Sequence, residues 1–196
     1  LEFTKQLMET NPKPILVVSA ALQGENETNV FQLLEAGALD VFPKPSGGTE
    51  KEYDQIRDRL VSKIRVIKSI PVYKKIKKTN LADTASFQAI PKQTKSTIKF
   101  LAIGASTGGP NAIQQVIGHL PKDLPVPVLC VQHISDGFIE SLVSWLGQNT
   151  KLRVKIMQEG EIPVSGTVYF PQNLKHMIIG YDGKLQVSTE PPFNGH

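Results

Sequence analysis

Phe100-Leu101-Ala102-Ile103-Gly104-Ala105-Ser106-Thr107-Gly108-Gly109-Pro110 decides how the chain is read. An apolar run, Ile98–Ile103, has the length and composition of a buried strand. It stops at glycine, turns through small residues, and meets Pro110, which suits the first turn of a helix. The spacing predicts that helix to about His119. Strand, tight turn and helix in this order are the local signature of an α/β sheet.

The turn carries chemistry as well as shape. Gly104-x-Ser106-x-Gly108 has the spacing of a nucleophile elbow, in which a serine sits on a tight strand-to-helix turn. The first backbone N–H groups of the helix have no partner inside the helix and can face a developing oxyanion. A plain glycine-rich connection or a phosphate cradle is the alternative reading. A dinucleotide fingerprint fails because Ser106 stands where the second glycine belongs, and no Gly-Lys-Ser/Thr of a phosphate-binding loop follows. A serine nucleophile needs a base. Of the four histidines, His133 follows the strand expected at Val126–Val131. It should share a rim with Ser106 if the two strands run parallel. His119 suits a helix end, His176 begins a late strand, and His196 is terminal. Neither His-Glu-x-x-His nor Cys-x-x-Cys occurs, so no metal site is expected in this chain. No acid is a compelling third member: Asp136 is only three residues beyond His133, and Asp123, Asp182 and Glu190 fall in turns or at surfaces.

Working outward, Gly137–Leu146 reads as a helix and Leu152–Met157, Thr167–Phe170, His176–Ile179 and Lys184–Val187 as strands, with a hairpin turn at Asp182-Gly183. Towards the start, Leu1–Thr10 reads as a helix and Ile15–Val18 as a strand. Thr28–Ala36 reads as a helix with Val30, Phe31, Leu33 and Leu34 inward and Gly37 as its C-cap. Ala38–Phe42 reads as a strand. Thr49-x-x-Glu52 then forms a capping box before a helix with Ile56, Leu60, Ile64 and Ile67 on one face. Both ends are therefore α/β. Between Lys63 and Lys99 lie ten basic residues and one acid, Asp83, so that window carries +9 and the remainder −5. With only Tyr73 and Phe87 as aromatics it reads as a solvated linker, and nucleic acid is not expected as a partner. The segments are 1–70, a basic linker 71–97, and 98–196.

At 196 residues, with 40% hydrophobic and 20% charged residues, the chain can fill one large domain or two small ones. Its single cysteine, Cys130, excludes an internal disulfide framework. Its apolar runs are too short to span a bilayer, so membrane insertion is not expected. A start at Leu1 without signal-peptide features points to a cytoplasmic piece of a longer protein.

The quoted stretch is followed by Val131-Gln132-His133, Gly137-Phe138, Val168-Tyr169-Phe170-Pro171 and Lys175-His176-Met177. In order and spacing these resemble the chemotaxis protein-glutamate methylesterase (CheB) family over residues 98–196. Ser19 ending one strand and Phe42-Pro43-Lys44-Pro45 ending the next resemble the last two strands of a response-regulator receiver. The resemblance implies a partial flavodoxin-like receiver at 1–70 and a partial doubly wound parallel-sheet esterase domain at 98–196. It implies Ser106 as nucleophile and His133 as general base. Thr107 would position the histidine and lend its N–H to the oxyanion. In the receiver, Ser19 would hydrogen-bond a phosphoryl group and Lys44 would pair with its charge. The implied substrates are glutamate methyl esters on the cytoplasmic helices of chemoreceptors, and some members also deamidate receptor glutamine. A chemotaxis histidine kinase would phosphorylate the receiver and so relieve a block on the site. The esterase chemistry needs no cofactor.

Departures from the family follow from the same residues. Receiver phosphorylation implies magnesium, but its ligands and the phosphoacceptor aspartate belong upstream of Leu1. The triad aspartate belongs beyond Asn194-Gly195-His196. Where the family carries Met-Pro-Pro, this chain has Ile134-Ser135-Asp136. The chain is therefore expected to be the middle of a longer methylesterase. The alternative is a non-catalytic regulatory binding module with an incomplete triad.

Overall fold

The computed structural model describes residues 1–19, 26–45, 47, 49–74 and 98–191. The linker expected at 71–97 lies outside these beyond Lys74, and so does Asn194-Gly195-His196. The first part runs α1 (Glu2–Thr10), β1 (Leu16–Ser19), α2 (Asn26–Glu35), β2 (Asp40–Pro43) and α3 (Glu50–Ile67). β1 and β2 pair in parallel, Leu16 against Asp40 through Ser19 against Pro43. α2 ends at Gly37, whose φ of +120° disfavours any side chain and whose Cβ position would strike Met8.

α3 opens on the expected box. Thr49 N–H donates to Glu52 Oε2 at 2.6 Å, and Glu52 N–H donates to Thr49 Oγ1 at 3.4 Å. The Thr49 N–H, with the Thr49 hydroxyl at 2.9 Å, donates to the Glu52 carboxylate and holds it below its usual pKa. The inward face differs from the expected one. Ile64 is 47% exposed, and the sheltered positions are Ile56, Leu60, Lys63 and Ile67. That set follows the helical repeat more closely, and Lys63 belongs to it because its Nζ lies 2.7 Å from Oδ2 of buried Asp40.

The second part runs β3 (Leu101–Ala105), α4 (Gly109–His119), β4 (Val128–Gln132), α5 (Ile139–Gln148), β5 (Arg153–Ile156), β6 (Thr167–Phe170), β7 (His176–Ile179) and β8 (Leu185–Ser188). A parallel sheet has the order β3-β4-β6-β5. Its first two strands start later than the apolar runs suggest. Pro125 and Pro127 have no N–H to donate, so the β3–β4 ladder begins where Leu101 faces Val128, and Ile98 and Phe100 stay exposed. Alternate residues then divide between two cores. Val128, Cys130, Val168 and Phe170 pack with Ile113, Ile117, Leu142 and Leu146 of α4 and α5. Leu129 and Tyr169 pack on the opposite face with Leu185, Met177 and Val187 of the β7–β8 hairpin. Among the described residues, therefore, helices cover one face and a hairpin the other, where a doubly wound sheet would have helices on both. The hairpin turns through Tyr181-Asp182-Gly183, with Gly183 at φ +79° and Gly180 N–H bonded to Lys184 O.

The two parts share one core. Val30, Phe31 and Leu34 of α2 join the cluster built by α4 and α5. Phe31 stacks on Trp145 at 5.3 Å, and Trp145 Nε1 donates to Glu35 Oε1 at 2.8 Å. No helix among the described residues is long and apolar enough to cross a membrane.

Trp145 is the only tryptophan, so its fluorescence reports on this junction. Phe31→Ala should destabilise the protein by about 3–5 kcal/mol, as for other large core truncations. The tryptophan and far-UV circular dichroism transitions should move down together on heating. If only one transition moved, the two parts would not share a core.

Candidate active site

Parallel pairing places the candidate residues. Ala105, last in β3, faces Gln132, last in β4. The ladder continues one step further, with His133 N–H donating to Ala105 O at 2.9 Å. Ser106 and His133 therefore leave neighbouring strands at the same carboxyl edge. Together with Thr107 they line a cavity of about 280 Å³. Its remaining wall comes from Phe42, from Arg59, Ser62, Lys63 and Val66 of α3, and from Ile134 and Ser135. Ile134 and Ser135, two of the three residues that differ from the family's Met-Pro-Pro, thus stand at the site itself. α3 lies over Ser106, and the Lys63–Asp40 pair fixes that helix to the start of β2.

The turn is held tightly. Gly109 N–H donates to Ser106 O at 2.7 Å, and Gly108 N–H donates across to Leu39 O at 3.1 Å. Asn111 Nδ2 donates to Leu34 O at 2.8 Å and to Ala38 O at 3.3 Å. The N–H groups of Gly108 and Gly109 are therefore committed, whereas the Thr107 N–H donates to none of the described residues. Ser106 N–H likewise donates to none of the described residues.

Beneath the pair sits Gln132, 6% exposed. Its Nε2 donates to Ser106 O and to His133 O, both at 2.8 Å. Sequence reasoning passed over this residue. The only available signal was its place between the end of a strand and the candidate base.

His133 also borders a second, more open groove of about 490 Å³, walled by Ile139 and the segment 171–176. Leu174 in that segment has φ +55°, a conformation rare for a branched side chain, and is 76% exposed. Of the acids considered as a third member, Asp136 accepts from Asn173 Nδ2, and Asp182 accepts from Lys184 N–H within the hairpin. Glu190 follows β8, where its carbonyl bonds His176. His119 binds Gln115 O at the end of α4.

In the first part, Ser19 and Lys44 come together at the carboxyl edge of β1 and β2, where Lys44 N–H donates to Ser19 O at 2.7 Å. Among the described residues no three His, Cys, Asp or Glu side chains converge on a possible metal. The described residues around Ser19 and Lys44 do not compose a magnesium site.

A strand, a serine on a tight turn, a helix, and a histidine on the next parallel strand have the layout of a nucleophile elbow with its base. Residues 101–196 match the family model described as CheB methylesterase. Through these residues the chain belongs to the CheB methylesterase family. A protein named protein-glutamate methylesterase/protein-glutamine glutaminase 4 in Geobacter metallireducens is 34% identical over 195 residues, 98% of this chain and 56% of its own length. The relative so named and numbered 2 in Methanospirillum hungatei is 36% identical over 96% of this chain and 55% of its own. The chain thus spans little more than half the length of these relatives. The crystal structure of the Thermotoga maritima CheB methylesterase catalytic domain is 34% identical and superposes with a TM-score of 0.47, over 50% of this chain and 53% of that one.

Cys130 lies two residues before Gln132 but is fully buried, and burial pushes its thiol up to about 12. It should resist a disulfide-exchange reagent at pH 8 in the folded protein and react fully once the protein is unfolded. Rapid labelling of the native protein would show that β4 is not packed as described.

Proposed function

We propose that the protein containing this chain hydrolyses glutamate methyl esters on chemoreceptors, with Ser106 as nucleophile and His133 as general base. The carrying observation is the shared edge: consecutive steps of one parallel ladder deliver both side chains to one cavity. Ser106 Oγ attacks the ester carbonyl carbon while His133 takes its proton. The oxyanion forms opposite the Thr107 N–H. Collapse of the tetrahedral intermediate breaks the bond to the methoxy oxygen, which leaves as methanol with the proton from His133. Water, deprotonated by His133, then attacks the acyl-serine; the bond from the acyl carbon to Ser106 Oγ breaks, His133 returns the proton to Oγ, and the glutamate carboxylate is released. Attack on a glutamine side chain would release ammonia by the same route, in keeping with the double name of the relatives.

The first part, in this reading, is the end of a receiver spanning residues 1–70, with 71–97 as linker and 98–196 as the esterase portion. Ser19 and Lys44 occupy the edge where a phosphoryl group would be sensed after transfer from a chemotaxis histidine kinase. α3 over Ser106 would be the block, and phosphorylation would relieve it. Receptor helices on the inner side of the membrane place the reaction in the cytoplasm.

Ser106→Ala should lower methanol release from methylated receptors by at least about 10³-fold, as loss of a serine nucleophile does elsewhere. It should also abolish labelling by a serine-directed phosphonate. Undiminished methanol release from the variant would refute the assignment.

Lys63→Met tests the cover. It strands buried Asp40 without its cation, which costs about 3–5 kcal/mol. The expected result is a lower Tm together with several-fold higher basal methanol release from the unphosphorylated protein. A lower Tm with unchanged release would separate α3 from control of the site.

A further inference from the structure

We propose that Gln132 is a positioning residue that sets the distance between the nucleophile and its base. The inference rests on the esterase reading above and adds to it a buried residue that acts through the two backbones it holds.

Gln132 holds both catalytic backbones at once, since one amide nitrogen donates to the carbonyls of Ser106 and His133. The orientation is forced, because the flipped amide would point its oxygen at two carbonyl oxygens. The bond to Ser106 is not needed merely to satisfy that carbonyl, which already accepts from Gly109 N–H at 2.7 Å. What it adds is a fixed link between the serine turn and the histidine on the neighbouring strand. The arrangement carries a cost. Gln132 Oε1 is buried and accepts no hydrogen bond from any described residue. An orphaned buried acceptor typically costs about 1–3 kcal/mol. An apolar side chain of similar length would avoid that cost and still fill the space, so packing alone does not account for an amide here.

The same oxygen explains a glycine. A Cβ at Gly109 would overlap Gln132 Oε1 outright and approach Gln132 Cδ to 2.8 Å and Ala105 Cβ to 2.9 Å. The helix can start against the clamp only because position 109 has no side chain. Gly109→Ala should therefore disable the clamp from the other side, by displacing the amide.

The test compares the whole protein with Gln132→Met, Gly109→Ala and the double variant. Methanol release from methylated receptor gives kcat and KM, cooperative melting gives folding, and phosphonate labelling reports on Ser106. Each single variant should lose about 10- to 100-fold in kcat, the scale on which an ångström of misplacement acts. KM should stay within about twofold, because the clamp acts on the distance between the reacting groups and Gln132 is almost wholly buried. The double variant should be no worse than the poorer single one, because both changes release the same clamp. The proposal is overturned if folded Gln132→Met keeps the kcat of the unaltered protein, or if the two losses multiply. Should Gln132→Met fail to melt cooperatively, Gly109→Ala decides alone: a kcat loss in a folded protein supports the clamp, and an unchanged kcat overturns it. If the unaltered protein neither releases methanol nor takes the phosphonate, the esterase reading itself has failed and this proposal goes with it. Normal labelling of the unaltered protein with an unaffected Gln132→Met variant rejects the clamp only.

Discussion

The parallel ladder between β3 and β4 is the constraint on which the site depends. Its register sets Ala105 against Gln132, and one further bond, from His133 N–H to Ala105 O, carries it past the strand ends. Side chains alternate along a strand, so a slip of one residue would turn Cys130 and Val128 out of the helical core. The same slip would separate His133 from Ser106. Burial of the core and alignment of the reacting groups are therefore the same geometric fact. The energy that holds it is the apolar area under α4 and α5, which is far larger than any single hydrogen bond at the rim.

The first part contributes in two directions. α2 extends the core of the second part through Phe31 and Leu34. α3 reaches over the edge where Ser106 emerges, and the Lys63–Asp40 pair holds it there. A buried ion pair is weak evidence for stability but fixes one arrangement against its neighbours. Its placement suits a helix whose position matters more than the energy it supplies.

Much of this was legible in the sequence. The turn from Gly104 to Pro110, the capping box at Thr49 and Glu52, the glycine closing α2 and the adjacent edges of Ser106 and His133 rest on local chemistry that a sequence displays. What escaped notice depends on partners far along the chain. Ile64 had the apolar character of a core position, but Lys63 took the sheltered place because buried Asp40 lies 23 residues away in sequence. The first strands began late because prolines on one run deny donors to another. Trp145 and Glu35, 110 residues apart, gave no sign that they meet. Gln132 shows the limit most clearly, since its two bonds appear only when two strand ends have been brought together.

The contact between α2 and α4 has a consequence for how such proteins diverge. Asn111 caps α2 from outside, donating to the carbonyls of Leu34 and Ala38, while Gly108 N–H takes that of Leu39. All three acceptors are main-chain atoms, present whatever side chains occupy those positions. The junction is thus indifferent to substitution at 34, 38 and 39 so far as these bonds are concerned, but sensitive to the length and path of the chain there. Substitution there is limited by packing, since Leu34 and Ala38 are buried in the shared core, and not by these bonds, whereas one inserted or deleted residue would strand Asn111 Nδ2 and Gly108 N–H together. Recombination between relatives should therefore tolerate size-conserving apolar exchanges at this boundary and reject mismatched spacing.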